Sequence, residues 1–172
     1  MNKKIRLTAC TLVCMLFVSV GMAQDASFPS VSIKDLKNKE VKSTDFLNEE
    51  GFTVISFWAT WCKPCIRELN NINDLYDDLQ EEVNVKVVAV SIDDARSAAK
   101  VGVFVNSKDW PFDIFLDVNS DLKRALNINN IPHSLVVDKA GRIVREHSGY
   151  LPGDEFELYD ALVDMQKKTS KN

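Results

Sequence analysis

Residues 53–66 read TVISFWATWCKPCI, and this stretch restricts the fold more than any other. It joins two patterns that belong to different secondary structures. TVISFWA (53–59) is an apolar, β-branched and aromatic run, the signature of a strand buried on both faces. From Pro64 onward the apolar residues Ile66, Leu69, Ile72, Leu75, Tyr76 and Leu79 recur at helical spacing, with Asn70, Asn71, Asp74, Asp77 and Asp78 on the other side. Proline is tolerated in a first helical turn because its missing N–H would be unpaired there. Cys62 and Cys65 occupy the junction. In open α/β sheets, sites form where such strands hand over to helices.

The remaining chain repeats the alternation. Val31, Ile33 and Leu36 suggest a strand, Lys37-Asn38-Lys39 a turn, and Val41 a second extended piece, together an N-terminal β-hairpin. VKVVAVSI (85–92) reads as another buried strand, 94–106 as a helix, 112–116 as an extended piece and 120–126 as a short helix. SLVVD (134–138) and RIVREH (142–147) around Lys139-Ala140-Gly141 read as a hairpin, and a last helix runs from Asp154 toward Met165 before a frayed KKTSKN tail. Strands alternating with helices, closed by a hairpin and a helix, predict a three-layer α/β/α sandwich on a mixed sheet.

The first 23 residues read as a separate segment. Lys3, Lys4 and Arg6 precede an apolar run from Leu7 to Val20, and Gly21-Met22-Ala23 supplies small residues at a cleavage site. This is the tripartite pattern of a secretory signal peptide, 1–23. The run is shorter than the ~20 residues of a usual membrane span, so an uncleaved anchor is the less favoured alternative. The remainder, 24–172, suits one domain, and a leader of this kind predicts an exported protein. Without the three leader cations the net charge moves from −4 to −7. An acidic chain of this kind is a poor partner for nucleic acid or anionic membranes.

Cysteine usage narrows the chemistry. Cys10 and Cys14 leave with the signal, so only Cys62 and Cys65 remain. A structural staple closing a loop of about four residues constrains the unfolded chain weakly, which argues against that role. At a helix start, unpaired N–H groups and the helix dipole favour an anion, and Lys63 adds a nearby positive charge. These effects lower a thiol from a pKa of ~8.5 toward ~3.5–7.5. Cys62 is therefore the expected nucleophile, forming a mixed disulfide with substrate, and Cys65 the resolving thiol. Glu68, three residues beyond Cys65, shares its helical face and is a candidate base for the Cys65 proton. The bland alternative for Glu68 is a solvated helix carboxylate.

FWATWCKPC, the later Ile131-Pro132 and SLVVDKAGRIV resemble the thioredoxin superfamily, and the entry hairpin and the segment 93–117 resemble its TlpA/ResA-like envelope branch. The resemblance spans about 28–168. It implies a thioredoxin-like fold, a cis Pro132 beside the disulfide, and an Ile131 backbone that pairs with substrate. It also implies that Glu68 tunes the thiols. Trp61 is a candidate to cover the disulfide and contact substrate; Lys63 and Pro64, between the cysteines, would set the redox poise. The implied function is reduction of protein disulfides in the bacterial envelope, apocytochrome c among them, with electrons from a membrane thiol conduit and with no cofactor or metal. The alternative within the fold is a thiol oxidant or isomerase.

Two departures and two rival chemistries bear on that reading. Cytoplasmic thioredoxins carry a buried aspartate where this chain has Ser56, which cannot act as a base, so weight shifts to Glu68. His133 follows Pro132 and either touches the site or lies in a loop. A metal site would need Cys62, Cys65, His133 and His147, but His147 is expected far from the cysteines and a second close-spaced motif is missing. A peroxidase would need a threonine three residues before the reactive cysteine; Ala59 is there, and Thr60 is one residue too close.

Overall fold

The computed structural model describes residues 27–170; the leader read at 1–23 lies outside them. Seven strands form one sheet: β1 (Ser32–Asp35), β2 (Glu40–Lys42), β3 (Thr53–Trp58), β4 (Lys86–Ser91), β5 (Asp113–Leu116), β6 (His133–Val137) and β7 (Ile143–Ser148). Their spatial order is β2-β1-β5-β4-β3-β6-β7. β3, β4 and β5 are mutually parallel, whereas β6 pairs antiparallel with both β3 and β7, and β1 with both β5 and β2. The helices are α1 (Lys63–Asp74), α2 (Tyr76–Val83), α3 (Ala98–Asn106), α4 (Asp121–Ala125) and α5 (Asp154–Thr169).

The connections explain the layers. β3 to β4 to β5 steps in one direction across the sheet, so right-handed crossovers put α1, α2 and α3 on one face. The return from β5 to β6 puts α4 on the other. β3, buried at all six positions, feeds both layers by alternation. Val54 and Trp58 join Leu69, Val101 and Leu162 of α1, α3 and α5; Ile55 and Phe57 join Ile33, Phe46 and Leu122. The result is the expected α/β/α sandwich with an N-terminal β-hairpin. That hairpin turns through Asn38 at φ 65°, with Asp35 Oδ1 accepting from the Lys37 and Lys39 N–H groups at 2.8 and 2.9 Å.

The end of β3 nearest the cysteines is held by aromatic packing. Trp58 is fully buried, its ring 5.2 Å from Trp110 edge-on and 5.7 Å from Phe104. Burying a side chain of that size stabilises by about 4–6 kcal/mol before entropy. Trp58 is therefore core, and Trp110 and Phe112 are buried in the loop beside it.

Three sequence expectations need correction. The helix expected through 64–79 is two helices, broken at Leu75 (φ −106°, ψ 0°). The apolar spacing survives a one-residue break, so periodicity does not register it. The helix expected from 94 starts at Ala98, because Asp94 first folds a turn, its Oδ1 accepting from Arg96 N–H and Ser97 N–H at 3.0 Å each. The tail is not frayed from Lys167: α5 continues to Thr169, its two lysines at the end where the dipole favours cations.

Candidate active site

β3 delivers the chain to the start of α1 through Ala59, Thr60 and Trp61. Cys62 is the N-cap of α1, with extended backbone (φ −90°, ψ 93°) and Pro64 in the first turn. Its Sγ accepts a 3.3 Å hydrogen bond from Cys65 N–H. The two sulfurs are bonded to each other, so the structure is the oxidised form. Both cysteines are buried, Cys65 fully. Once the bond is reduced, the same N–H and the helix dipole favour a thiolate on Cys62. Lys63 is exposed.

A clamp missed in the sequence holds this turn. Asp93, buried just past β4, accepts from Thr60 N–H through Oδ2 (2.8 Å) and from the Thr60 hydroxyl through Oδ1 (2.6 Å); Ser91 also donates to Oδ2 at 2.8 Å. The apolar run gave no signal for it, since the pairing spans 33 residues.

Glu68 is 4% exposed, one turn beyond Cys65 on the same face of α1. It is therefore not a solvated helix carboxylate. Ser56 Oγ donates to its Oε2 at 2.9 Å and Ser134 Oγ to its Oε1 at 3.1 Å. Burial raises its pKa from 4.5 to about 7, against the lowering effect of the two serine hydrogen bonds. A carboxyl that exchanges its proton near neutrality suits general acid–base work.

The Ile131–Pro132 bond is cis, and Pro132 is buried. The Pro132 carbonyl accepts from Gly149 N–H at 2.9 Å, which ties the loop after β7 to this turn. Among the described residues, no backbone hydrogen bond is made by the Ile131 N–H or C=O. Trp61, next to Cys62, is 65% exposed. His133 alternates to the opposite face of β6 from Ser134, and its register partner is Phe57. Its Nε2 is buried without a hydrogen-bond partner, and burial pushes its pKa down. It faces away from Glu68.

His147 pairs in register with Ser134 and lines a small cavity together with Glu68; neither cysteine lines that cavity. Among the described residues, no group of three or more His, Cys, Asp or Glu side chains is placed to hold a metal ion. No described helix is long and apolar enough to cross a membrane.

The chain is similar to known proteins. Residues 25–146 match the AhpC/TSA family. A thiol–disulfide oxidoreductase ResA of Bacillus thuringiensis subsp. konkukian is 30% identical over 131 residues, 76% of this chain and 73% of that protein. A thioredoxin-like protein of Porphyromonas gingivalis, solved in solution, is 40% identical with a TM-score of 0.74, covering 82% of this chain and 92% of that one. StoA of Bacillus subtilis, at 23% identity and a TM-score of 0.59 over 78% of this chain and 98% of its own, shares the fold.

Proposed function

Because the chain belongs to the AhpC/TSA family and is a thioredoxin-like thiol–disulfide oxidoreductase, we propose that it reduces protein disulfides in the bacterial cell envelope. One observation carries the mechanism: Cys62 Sγ caps α1 with a buried Glu68 one turn past Cys65. The reduced chain attacks a substrate disulfide with the Cys62 thiolate. One substrate sulfur leaves as thiolate and the other stays bonded to Cys62. Cys65 then gives its proton to the Glu68 carboxylate and attacks Cys62 Sγ. The second substrate thiolate departs, and the chain is left oxidised by two electrons.

Substrate is held beside this pair. The unpaired Ile131 backbone offers one N–H and one C=O to an extended peptide, and exposed Trp61 offers an aromatic face. Apocytochrome c and other envelope proteins with disulfides fit as substrates, and a membrane thiol conduit fits as the electron source. The apolar segment 7–20 supports export, as a cleaved signal or an anchor.

The test has two arms. Cys62→Ser abolishes reduction of a protein disulfide, whereas Cys65→Ser accumulates the mixed disulfide at Cys62. Retained reduction in Cys62→Ser would overturn the reading. A redox-buffer titration then sets direction. Pairs of this kind span about −270 to −120 mV, roughly 7 kcal/mol for two electrons. A value near the low end supports a reductant; one near the high end supports the oxidant or isomerase alternative.

A further inference from the structure

Glu68 is enclosed, so a proton it takes from Cys65 needs a route to solvent. The sheet supplies a polar row where its neighbours are apolar. Ser56 of β3 lies opposite Ser134 of β6, and Ser134 lies opposite His147 of β7. Cross-strand partners share a face, and neighbouring strands lie about 4.8 Å apart. The row therefore runs outward from Glu68 to the imidazole under α1 and α5.

Between Glu68 and His147 is a cavity of about 20 Å³. That volume admits one water molecule, and its wall carries the several polar partners such a water needs. The other polar groups lining it are ill suited to pass a proton on. The Arg145 guanidinium offers donors and no acceptor. Tyr150 donates its hydroxyl to Glu155 Oε2 at 2.7 Å. Glu155 also accepts from Gly153 N–H at 2.9 Å and from Asn71 Nδ2 at 3.1 Å. Ser134 already donates to Glu68. Ile72 and Leu158 complete the wall and are apolar.

His147 differs from all of these. Its Nε2 lies 3.0 Å from Asp154 Oδ2, and the two side chains are 35% and 20% exposed. Asp154 is itself fixed, accepting from Leu151 N–H at 2.7 Å. An imidazole held at one nitrogen keeps the other for proton exchange, and His147 both lines the cavity and is partly exposed. We infer that His147, oriented by Asp154, is the proton port of Glu68. It takes up, through one water in the cavity, the proton that Glu68 removes from Cys65, and delivers it to solvent. The inference rests on the disulfide-reductase reading above. The electrostatics agree with the placement, since His147 lowers the pKa of Glu68 and Asp154 raises it.

The step can be isolated by mixing reduced protein with a stoichiometric aromatic disulfide, 5,5′-dithiobis(2-nitrobenzoate). Its thiolate product absorbs visible light and leaves twice. The first release is Cys62 attack; the second is resolution by Cys65, the only step that loads Glu68. At about pH 6 Glu68, with a pKa of about 7, starts mostly protonated and must unload before it can take the Cys65 proton. There, in His147→Gln, the first release keeps its rate, while the second slows by about tenfold or more in dilute buffer and recovers as imidazole is added. A second release at the parent rate, or a slowing that buffer does not relieve, overturns the inference. Asp154→Asn, which loosens the grip on His147, slows the second release in the same buffer-dependent way; an unchanged rate there also overturns it. A parent chain that releases neither thiolate faster than a free thiol overturns the reductase reading, and this inference with it.

Discussion

Ser56 Oγ, on the central strand β3, donates a 2.9 Å hydrogen bond to Glu68 Oε2. Ser134, its register partner on β6, occupies the other carboxylate oxygen at 3.1 Å. Both bonds favour the charged form and oppose the burial that lifts Glu68 to about 7. Ser56→Ala and Ser134→Ala therefore each raise the Glu68 pKa further. The pH–rate profile for disulfide reduction shifts to higher pH in each variant, and further in the double variant. A profile that does not move would show that Glu68 is not the group it reports.

The same shift links Glu68 to stability. Its pKa is about 7 folded against 4.5 as the ordinary value. Between those values the folded chain holds a proton that the unfolded chain has lost. The stabilisation is therefore complete below about 4.5 and is lost as pH rises through 7, by up to about 3 kcal/mol. Glu68→Gln removes this dependence, so its stability relative to the parent improves between pH 5 and pH 8. Urea unfolding at both values measures the difference; an equal gap at the two pH values contradicts the assignment.

How the site was legible follows from which contacts are local. Cys62, Cys65, Pro64 and Glu68 lie within one helical stretch, so spacing alone put them together. The β3–α1 handover and the closing hairpin were readable from the change of apolar period. Ser56 illustrates the limit: its inability to act as a base was evident, but its role as a donor to Glu68 was not. That role depends on α1 folding back over β3. Asp93 meets Thr60 across 33 residues, and Ser134, with His147 beside it in the hairpin, reaches the site only through the pairing of β6 with β3, which no local pattern encodes. Asn71 falls on the polar side of α1, yet its amide donates to Tyr150 and Glu155 beside α5, a pairing that helical spacing does not reveal.

Trp58 and Trp61, three residues apart, are expected to separate stability from recognition. Trp58 is fully buried among Trp110 and Phe104, and Trp58→Ala costs about 3–5 kcal/mol. Trp61 is 65% exposed, and Trp61→Ala changes stability by less than about 0.5 kcal/mol. If Trp61 contacts substrate, its loss raises KM for a protein disulfide while leaving reaction with a small aromatic disulfide unchanged. Thermal unfolding and the two assays check this; an unaltered KM would remove Trp61 from the binding surface.

Thr60 and Asp93 bear on the peroxidase alternative, since the AhpC/TSA family gives no decision by its name. A hydroxyl that activates peroxide must face the reactive sulfur. Here the Thr60 hydroxyl donates to Asp93 Oδ1 at 2.6 Å, and Ala59 carries no hydroxyl. The reduced chain is therefore expected to consume hydrogen peroxide no faster than a free thiol of equal thiolate content. Thr60→Val tests the structural role of the same group. It keeps the shape and the Thr60 N–H bond but leaves buried Asp93 Oδ1 without its donor, for a cost of about 1–3 kcal/mol. Peroxide turnover well above the free-thiol rate, falling in Thr60→Val, would mean that the hydroxyl leaves Asp93 for the sulfur on reduction. The chain would then be a peroxidase as well as a disulfide reductase.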